Sequence, residues 1–414
     1  MNFFSPKMPF ATATLVALFI SISSLAGEES WIKWGGPDTN FKVQSGKLAS
    51  SWPDAGPPVL WKKKFGPGYS AILSENGKLY TVYRRDESDV VVCLEASSGK
   101  QLWESAFEAP VHKGQRLSFG TGPNASPVIH GNRIYSVSFG GLLVCLDKTT
   151  GKQLWSVDLV ARYGALIVNF GVSASPLVYK NQLIVICGGD KYGAVGFNLE
   201  TGNLVWNSEK TSAGYATPVI INAANHEQLV FMGVDDVWSL SLKTGKVLWQ
   251  TPYKNRYGTH ASPPIPAGDD LLFISTQVDE KSKTLRLSAD GDGVKLDVVA
   301  ENDTFRLFYN NCIRLGDVIY GGSKNKASAY NLKKGEILWQ EKGYPVMNMV
   351  YADDKFILLD ENGKLSLATM TPEKMTVLAS HKFLDKPSWT VPTLTGTTLY
   401  LRNTKEIMAL SLAR

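Results

Sequence analysis

Eight side chains recur at one place in a repeated pattern, and their types set what chemistry they could do: Tyr69, Asn124, Ser173, Tyr215, His260, Asn310, Asn348 and Trp389. Amides, hydroxyls and aromatic rings gathered at one mouth suit hydrogen bonding and stacking to a peptide, a sugar or a flat ligand. They equally suit a channel filled by its own side chains and water. A second set is basic. Arg162-Tyr163-Gly164 and Arg256-Tyr257-Gly258 repeat the tripeptide RYG, and Arg116 and Arg306 fall near it in repeat position. These six residues (Arg116, Arg162, Tyr163, Arg256, Tyr257, Arg306) would form an anion-binding rim, or simply the solvated charge of long loops.

Covalent and metal chemistry find little to work with. The chain holds no G-x-S-x-G, H-E-x-x-H, C-x-x-C or P-loop pattern. Its five His are scattered. The acidic pair Asp290-Gly-Asp292-Gly lacks the later ligands of a calcium loop and reads as a turn. No metal site and no catalytic residue is expected. Cys93 and Cys145 share a repeat position, ten residues before a Trp, which puts them on neighbouring sheets roughly 10 Å apart. That is too far for a disulfide, so buried free thiols are expected.

What must position these residues is a repeat. SGKQLW at 98–103, TGKQLW at 150–155, TGNLVW at 201–206, TGKVLW at 244–249 and KGEILW at 334–339 each place Gly four residues before Trp. A period of about 40–50 residues running almost end to end signals one supersecondary unit stacked many times. In the copy LVCLDKTTGKQLW at 143–155 an alternating strand precedes a tight turn, Gly151 supplies positive φ, and the next strand carries the Trp. The polar residue four before each Gly can bond to the turn amides.

A second recurrence begins a strand: NASPVI at 124–129, SASPLV at 173–178, YATPVI at 215–220, HASPPI at 260–265 and WTVPTL at 389–394. Pro lacks the donor a sheet interior needs, so these strands are edges, lining a central channel. Between the two marks a short turn and apolar strand recur eight times, from ENGKLY at 75–80 to TGTTLY at 395–400. The predicted fold is therefore all-β: an eight-bladed β-propeller of four-stranded antiparallel blades. Blades five and seven have lost the Trp. The last repeat lacks an outermost strand, and VLWK at 59–62 is an outermost strand without a blade. Residues 58–65 are expected to complete the last blade and close the ring. The long connections and the 2–3 hairpins, at 83–90 and 276–284 among them, fall on one face, and the function is expected there.

Before the repeats, Lys7 and an apolar run from Phe10 to Ile22 lead to Ser24 and Ala26. That is the plan of a signal peptide cut before Gly27. The run is too short to cross a bilayer, which takes about 20 residues. The predicted divisions are a signal peptide at 1–26, an N-terminal extension at 27–57 and the propeller at 58–414. No Cys stands at the new N-terminus, so lipid anchoring is not expected; the chain should be periplasmic or secreted, and monomeric. Cleavage leaves 42 basic against 38 acidic residues. A balance so even does not point to nucleic acid.

The (apolar)-D-x-x-T-G-x-x-x-W signature with the Ser-Pro strand start resembles the pyrroloquinoline-quinone-like (PQQ-like) propeller repeat, from about Trp31 onward. WIKWGGP at 31–37 also resembles the W-x-G-P opening of exported, non-catalytic BamB-like propellers. The resemblance implies either a protein-interaction scaffold or a quinoprotein dehydrogenase. Dehydrogenases of that kind would offer an adjacent Cys pair, acidic and amide ligands for calcium and an Asp base, and no two Cys are adjacent here. The expectation is an exported, non-enzymatic scaffold that presents its long-loop face to another envelope or secreted protein and carries neither pyrroloquinoline quinone nor calcium. The alternative is a redox or carbohydrate-active enzyme using the channel mouth.

Overall fold

A computed structural model describes residue 1 and residues 30–414 except 269 and 323. The signal-peptide reading of 1–26 lies, apart from Met1, outside the described residues. Among the described residues no helix is long and apolar enough to cross a membrane.

Each repeat folds into a four-stranded antiparallel sheet; the described residues form eight of them, and in seven the strands follow chain order. Blade one is Leu73–Glu75, Lys78–Arg85, Ser88–Glu95 and Gln101–Glu108. Blade eight is made from both ends of the propeller, because Val59–Lys64 pairs antiparallel with Glu406–Ser411, placing Trp61 opposite Ala409. The ring is thereby closed as the sequence predicts. A five-residue helix, Leu159–Tyr163, interrupts the connection from blade two to blade three, with Asp158 capping it through a bond from the Ala161 amide.

The Gly-to-Trp phrase works across blades. Gly99, Gly151, Gly202 and Gly245 all have φ near +70°. A Cβ on each would strike the indole of Trp61, Trp103, Trp155 and Trp206 respectively, every one from the preceding blade. The turn is tied by the polar residue four before the Gly: Asp147 Oδ1 accepts the Thr149 and Thr150 amides at 3.0 and 2.8 Å, and Asn198 Oδ1 takes those of Glu200 and Thr201 at 2.9 and 3.0 Å.

Register explains the missing Trp residues. The Trp faces Cys93, Cys145, Gly196, Ser239 and Ala329 on the third strand, and in each blade the pairing shifts by a bulge directly after it. The same position with the same shift holds Ala300 in blade five and Ala379 in blade seven. The bulge is kept where the indole is lost. All four Cys are buried and free. Asp290 and Asp292 flank Gly291 in the tight turn joining the two outer strands of blade five, with Asp290 paired to Gly293.

Long connections do gather on one face, but of the two hairpins expected to be long only the one at 276–284 is, with residues 275–281 outside the strands. The segment 83–90 is not a loop: strands Lys78–Arg85 and Ser88–Glu95 stay paired up to Arg85 and Ser88, leaving a two-residue turn. Cross-strand pairing consumes that length, and Arg84 sits opposite Asp89 within it.

The segment at 30–49 is woven into the other end of the ring. Trp31 and Ser74 exchange both backbone hydrogen bonds at 2.8 and 2.9 Å, Ile32 O accepts from Ile129 N, and Phe41 O from Tyr351 N. These partners lie on the innermost strands of blades one, two and seven. Ala49 N then reaches Leu412 O at 2.9 Å. Trp31, Phe41, Val43 and Leu48 are buried in the same core cluster as those strands. The smooth-face end of the channel is stoppered by this segment.

Candidate functional site

The innermost strands bind one another in an unbroken circle. Ala71 N donates to Ser126 Oγ at 2.9 Å, Ser126 N to Ser175 Oγ at 3.0 Å, and Ser175 N to Thr217 Oγ1 at 3.2 Å. His260 O accepts the Tyr215 and Ala216 amides. Ser262 Oγ donates to Phe308 O, Asn311 N to Asn348 Oδ1, Asn348 Nδ2 to Trp389 O, and Thr393 Oγ1 to Ile72 O. In the Ser-Pro motif the Ser or Thr thus belongs to this circle, while the Pro beside it starts the edge strand.

Inside the circle is a cavity of about 480 Å³. It opens on the long-loop face, and at its base stands Trp34 from the stoppering segment, edge-on to Phe41 at 4.8 Å. Seven of the eight predicted mouth residues line it: Tyr69, Asn124, Ser173, Tyr215, Asn310, Asn348 and Trp389. His260 does not. It is 1% exposed and stacks on Tyr253 at 5.5 Å, and burial lowers its pKa.

Much of the predicted polar ring is already occupied. Asn310 donates to Gly322 O and accepts from Phe308 N, and Asn124 Nδ2 donates to Phe170 O at 2.8 Å. What faces the cavity is chiefly aromatic. Trp389 touches Tyr309, Tyr69 and Phe119 at 4.9, 5.1 and 5.3 Å between ring centres. Phe119 continues to Phe170 at 5.4 Å and Phe170 to Tyr215 at 5.9 Å. Behind this arc Glu361 accepts from Trp389 Nε1 and Tyr309 OH and pairs with Lys386. Burial pushes the Tyr69 phenol up to about 12, and its OH donates to Phe119 O at 2.7 Å. Tyr309 is raised too, by burial and then by Glu361. These phenols are hydrogen-bond donors at physiological pH, not bases.

The six basic-set residues do not assemble into one rim. Arg116 and Tyr257 line the cavity. Arg162 lies over the Tyr163 ring in the short helix, and Tyr163 is buried against Tyr192 and Phe197. Arg256 is held by Asp279, through Nε at 2.8 Å and its own amide at 2.6 Å. Arg306 bonds Asp303 O at 3.0 Å and lines a separate pocket between blades five and six. Trp34, Phe119, Phe170 and Tyr309 were not expected at the cavity. Tyr309 adjoins the predicted Asn310 and Trp34 lies in the WIKWGGP segment, but Phe119 and Phe170 come from connections without periodicity.

No Asp, Glu, Cys or His is among the residues lining the cavity. Among the described residues no group of three or more such side chains could hold a metal ion. The set of donors a calcium-bound quinone would require, carboxylates and an adjacent Cys pair, does not match these amides, hydroxyls and rings.

An eight-bladed ring locked by Trp on Gly and enclosing a central cavity defines the class of PQQ-repeat propellers. A family model described as outer membrane protein assembly factor BamB matches residues 53–116 and 114–341, and the chain belongs to that family. Two kinds of protein are among its relatives. The quinohemoprotein alcohol dehydrogenase ADH IIB of Pseudomonas putida is 25% identical over 301 residues, covering 71% of this chain and 40% of that protein. The outer membrane protein assembly factor BamB of Burkholderia pseudomallei is 24% identical over 229 residues, 52% of this chain and 54% of that one. The chain thus spans less than two thirds of the length of either. The crystal structure of BamB from Moraxella catarrhalis shares the fold, with a TM-score of 0.59 at 15% identity over 86% of this chain and 99% of that one.

Proposed function

We propose that this protein is an exported, non-catalytic binding propeller of the cell envelope, which holds an extended segment of another protein on its long-loop face and lodges an apolar side chain of that segment in the central cavity. The observation that carries this reading is the lining of the cavity: rings, hydroxyls and amides with one cation, Arg116, and no carboxylate or thiol, stopped at the base by Trp34. Such a lining stacks and desolvates a guest, but it offers no general base to activate its hydroxyls and no anionic ligand for a cation. Phe119 and Tyr257, which line the cavity, are 49% and 53% exposed, and Leu117 and Leu166 on the same long connections as Phe119 and Phe170 are 46% and 59% exposed, an apolar fringe on loops anchored to a rigid ring. Membership of the BamB family and the Burkholderia relative support the same reading.

A dehydrogenase, which the Pseudomonas relative invites, would need cofactor ligands that the cavity does not supply; pyrroloquinoline quinone and calcium are therefore not proposed. Neither a nucleic acid nor a membrane span is part of the reading. The test is photo-crosslinking from position 119 or 257 in the native envelope, followed by mass spectrometry. One dominant protein partner, lost when Trp389→Ala is combined with the crosslinker, is expected. Equal labelling of many proteins from 119, 257 and a smooth-face position such as Lys100 would overturn it.

A further inference from the structure

On the long-loop face of blades five to seven, away from the central cavity, cations are set against one another. In blade six Lys326 is directly opposite Lys342 across the outer strand pair, and in blade seven Lys364 is directly opposite Lys382. Like charges in such positions repel and weaken a sheet. Lys382 has a counter-ion in Asp385 at 3.5 Å. Lys326, Lys342 and Lys364 form no ion pair with a described carboxylate; Lys326 Nζ is held instead by Gln340 Oε1 at 3.0 Å.

These lysines border two adjoining hollows. The first, about 300 Å³, is lined by Arg306, Lys324 and Lys326 with Asp303 as its single acid. The second, about 130 Å³, is lined by Lys342 and Lys364 with Asp360 as its single acid. Both acids keep their charge but are held in place by neutral donors. Asp303 accepts from the Thr304 hydroxyl at 3.1 Å, and Asp360 Oδ1 takes the Asn362 and Lys364 amides at 2.9 and 3.0 Å. Arg306 is braced by the carbonyls of Asp303 and Glu280, which fixes the guanidinium without neutralising it. Asp279 and Glu280 nearby are already paired, with Arg256 and Lys283. Five cations across two hollows thus outnumber two carboxylates, at the cost of two like-charge register pairs.

We propose that this stripe binds a polysaccharide bearing sulfate or phosphate esters, one tetrahedral oxyanion group per hollow. Cation pairs held apart by a strand register suit oxyanions spaced along one chain, and each oxyanion relieves the repulsion beside it. Base stacking, which single-stranded nucleic acid needs, finds only Tyr344 in the second hollow and the buried Phe305 in the first.

The test uses the full exported chain titrated with sulfated dextran, phosphorylated dextran, plain dextran and oligo-dT, at low and at moderate salt. At least one charged dextran should bind and plain dextran should not, and the two charged arms identify the ester. The triple variant Lys326→Gln, Lys342→Gln, Lys364→Gln should lose on the order of 30-fold in affinity and show a shallower salt dependence, while Lys100→Gln on the opposite face changes nothing. Lys342→Gln alone should melt no lower than the parent, since it removes a repulsion. Undiminished binding by the triple variant, tighter binding of oligo-dT than of either charged dextran, or a lower melting temperature for Lys342→Gln would each overturn the proposal.

Discussion

The indole of Trp103 lies on Gly151 of the next blade so closely that a Cβ there would stand 2.5 Å from ring atom Cε3. Gly151 has φ +73°, and Gly77, in the first turn of blade one, has φ +72° with no heavy atom within 4 Å of a would-be Cβ. The two positions share a backbone conformation and differ only in the neighbour. Gly77→Ala should cost about 1–2 kcal/mol for the left-handed conformation alone. Gly151→Ala should cost roughly a further 1–3 kcal/mol for displacing the indole. Denaturant unfolding of the two variants side by side checks the difference; equal losses would mean that the Trp contact contributes nothing.

The stopper at 30–49 is clamped by Asp353. Its Oδ1 takes Lys47 Nζ at 2.8 Å, and its Oδ2 takes Lys355 Nζ at 2.7 Å and the Leu48 amide at 3.0 Å. Lys355, then Lys47, then the amide hold the Asp353 carboxyl well below the usual carboxylate range. A depressed acid contributes stability that is complete above its ordinary value of 3.8 and is lost as pH falls through the lower native one. Protease cleavage within 30–49 should therefore stay slow from pH 8 to pH 5. Asp353→Ala should speed it at neutral pH without unfolding the ring, as read by mass spectrometry of the fragments.

Arg84 and Asp89 form a buried pair at 3.3 Å, with Asp89 Oδ2 also accepting the Phe139 amide at 2.8 Å. Burial outweighs both partners and raises the Asp89 carboxyl from 3.8 to about 6. Between those values the native protein binds a proton that the unfolded chain does not. The associated stability is present in full below pH 3.8 and is lost as pH rises through about 6. At pH 7 the carboxylate depends on Arg84. Arg84→Met should cost about 3–5 kcal/mol at pH 7 and less at pH 5, and adding Asp89→Asn should restore part of it. Denaturation at both pH values measures this.

Pyrroloquinoline quinone with calcium should leave no visible absorbance on the protein after dialysis, and no dye reduction should follow addition of an alcohol. Retained absorbance together with turnover would return the chain to the dehydrogenase side of its family.

The periodic part of the architecture was open to inference from the chain. Gly151, Trp155 and their counterparts report a local turn and a nearest-neighbour contact, which repeat with the period, so eight sheets and the closure of the last blade by residues 58–65 could be reasoned out, though not the register that sets Trp61 opposite Ala409. The Pro residues of the strand starts were legible for the same reason. Their Ser neighbours were not: the bond from Ala71 N to Ser126 Oγ spans two blades, and nothing local requires it. His260 occupies the repeat position of Asn124 and Ser173, yet it turns into the ring of Tyr253, because side-chain direction there depends on the neighbouring blade. Arg162 and Arg256 share a tripeptide but end in different surroundings, since connections carry no period to place them. The floor of the cavity escaped notice because Trp34 reaches it from a segment outside the repeats.

Seven of the eight blades are each cut from one contiguous stretch of chain, and only the eighth joins Val59–Lys64 to Glu406–Ser411. That seam spans almost the whole domain in sequence, so zipping it demands the largest loss of chain freedom of any step. The other blades can form from neighbours alone and wait. Heat or pulling force should then find its first foothold at residues 59–64, whose departure uncovers an edge on a three-stranded eighth sheet and leaves the other seven intact.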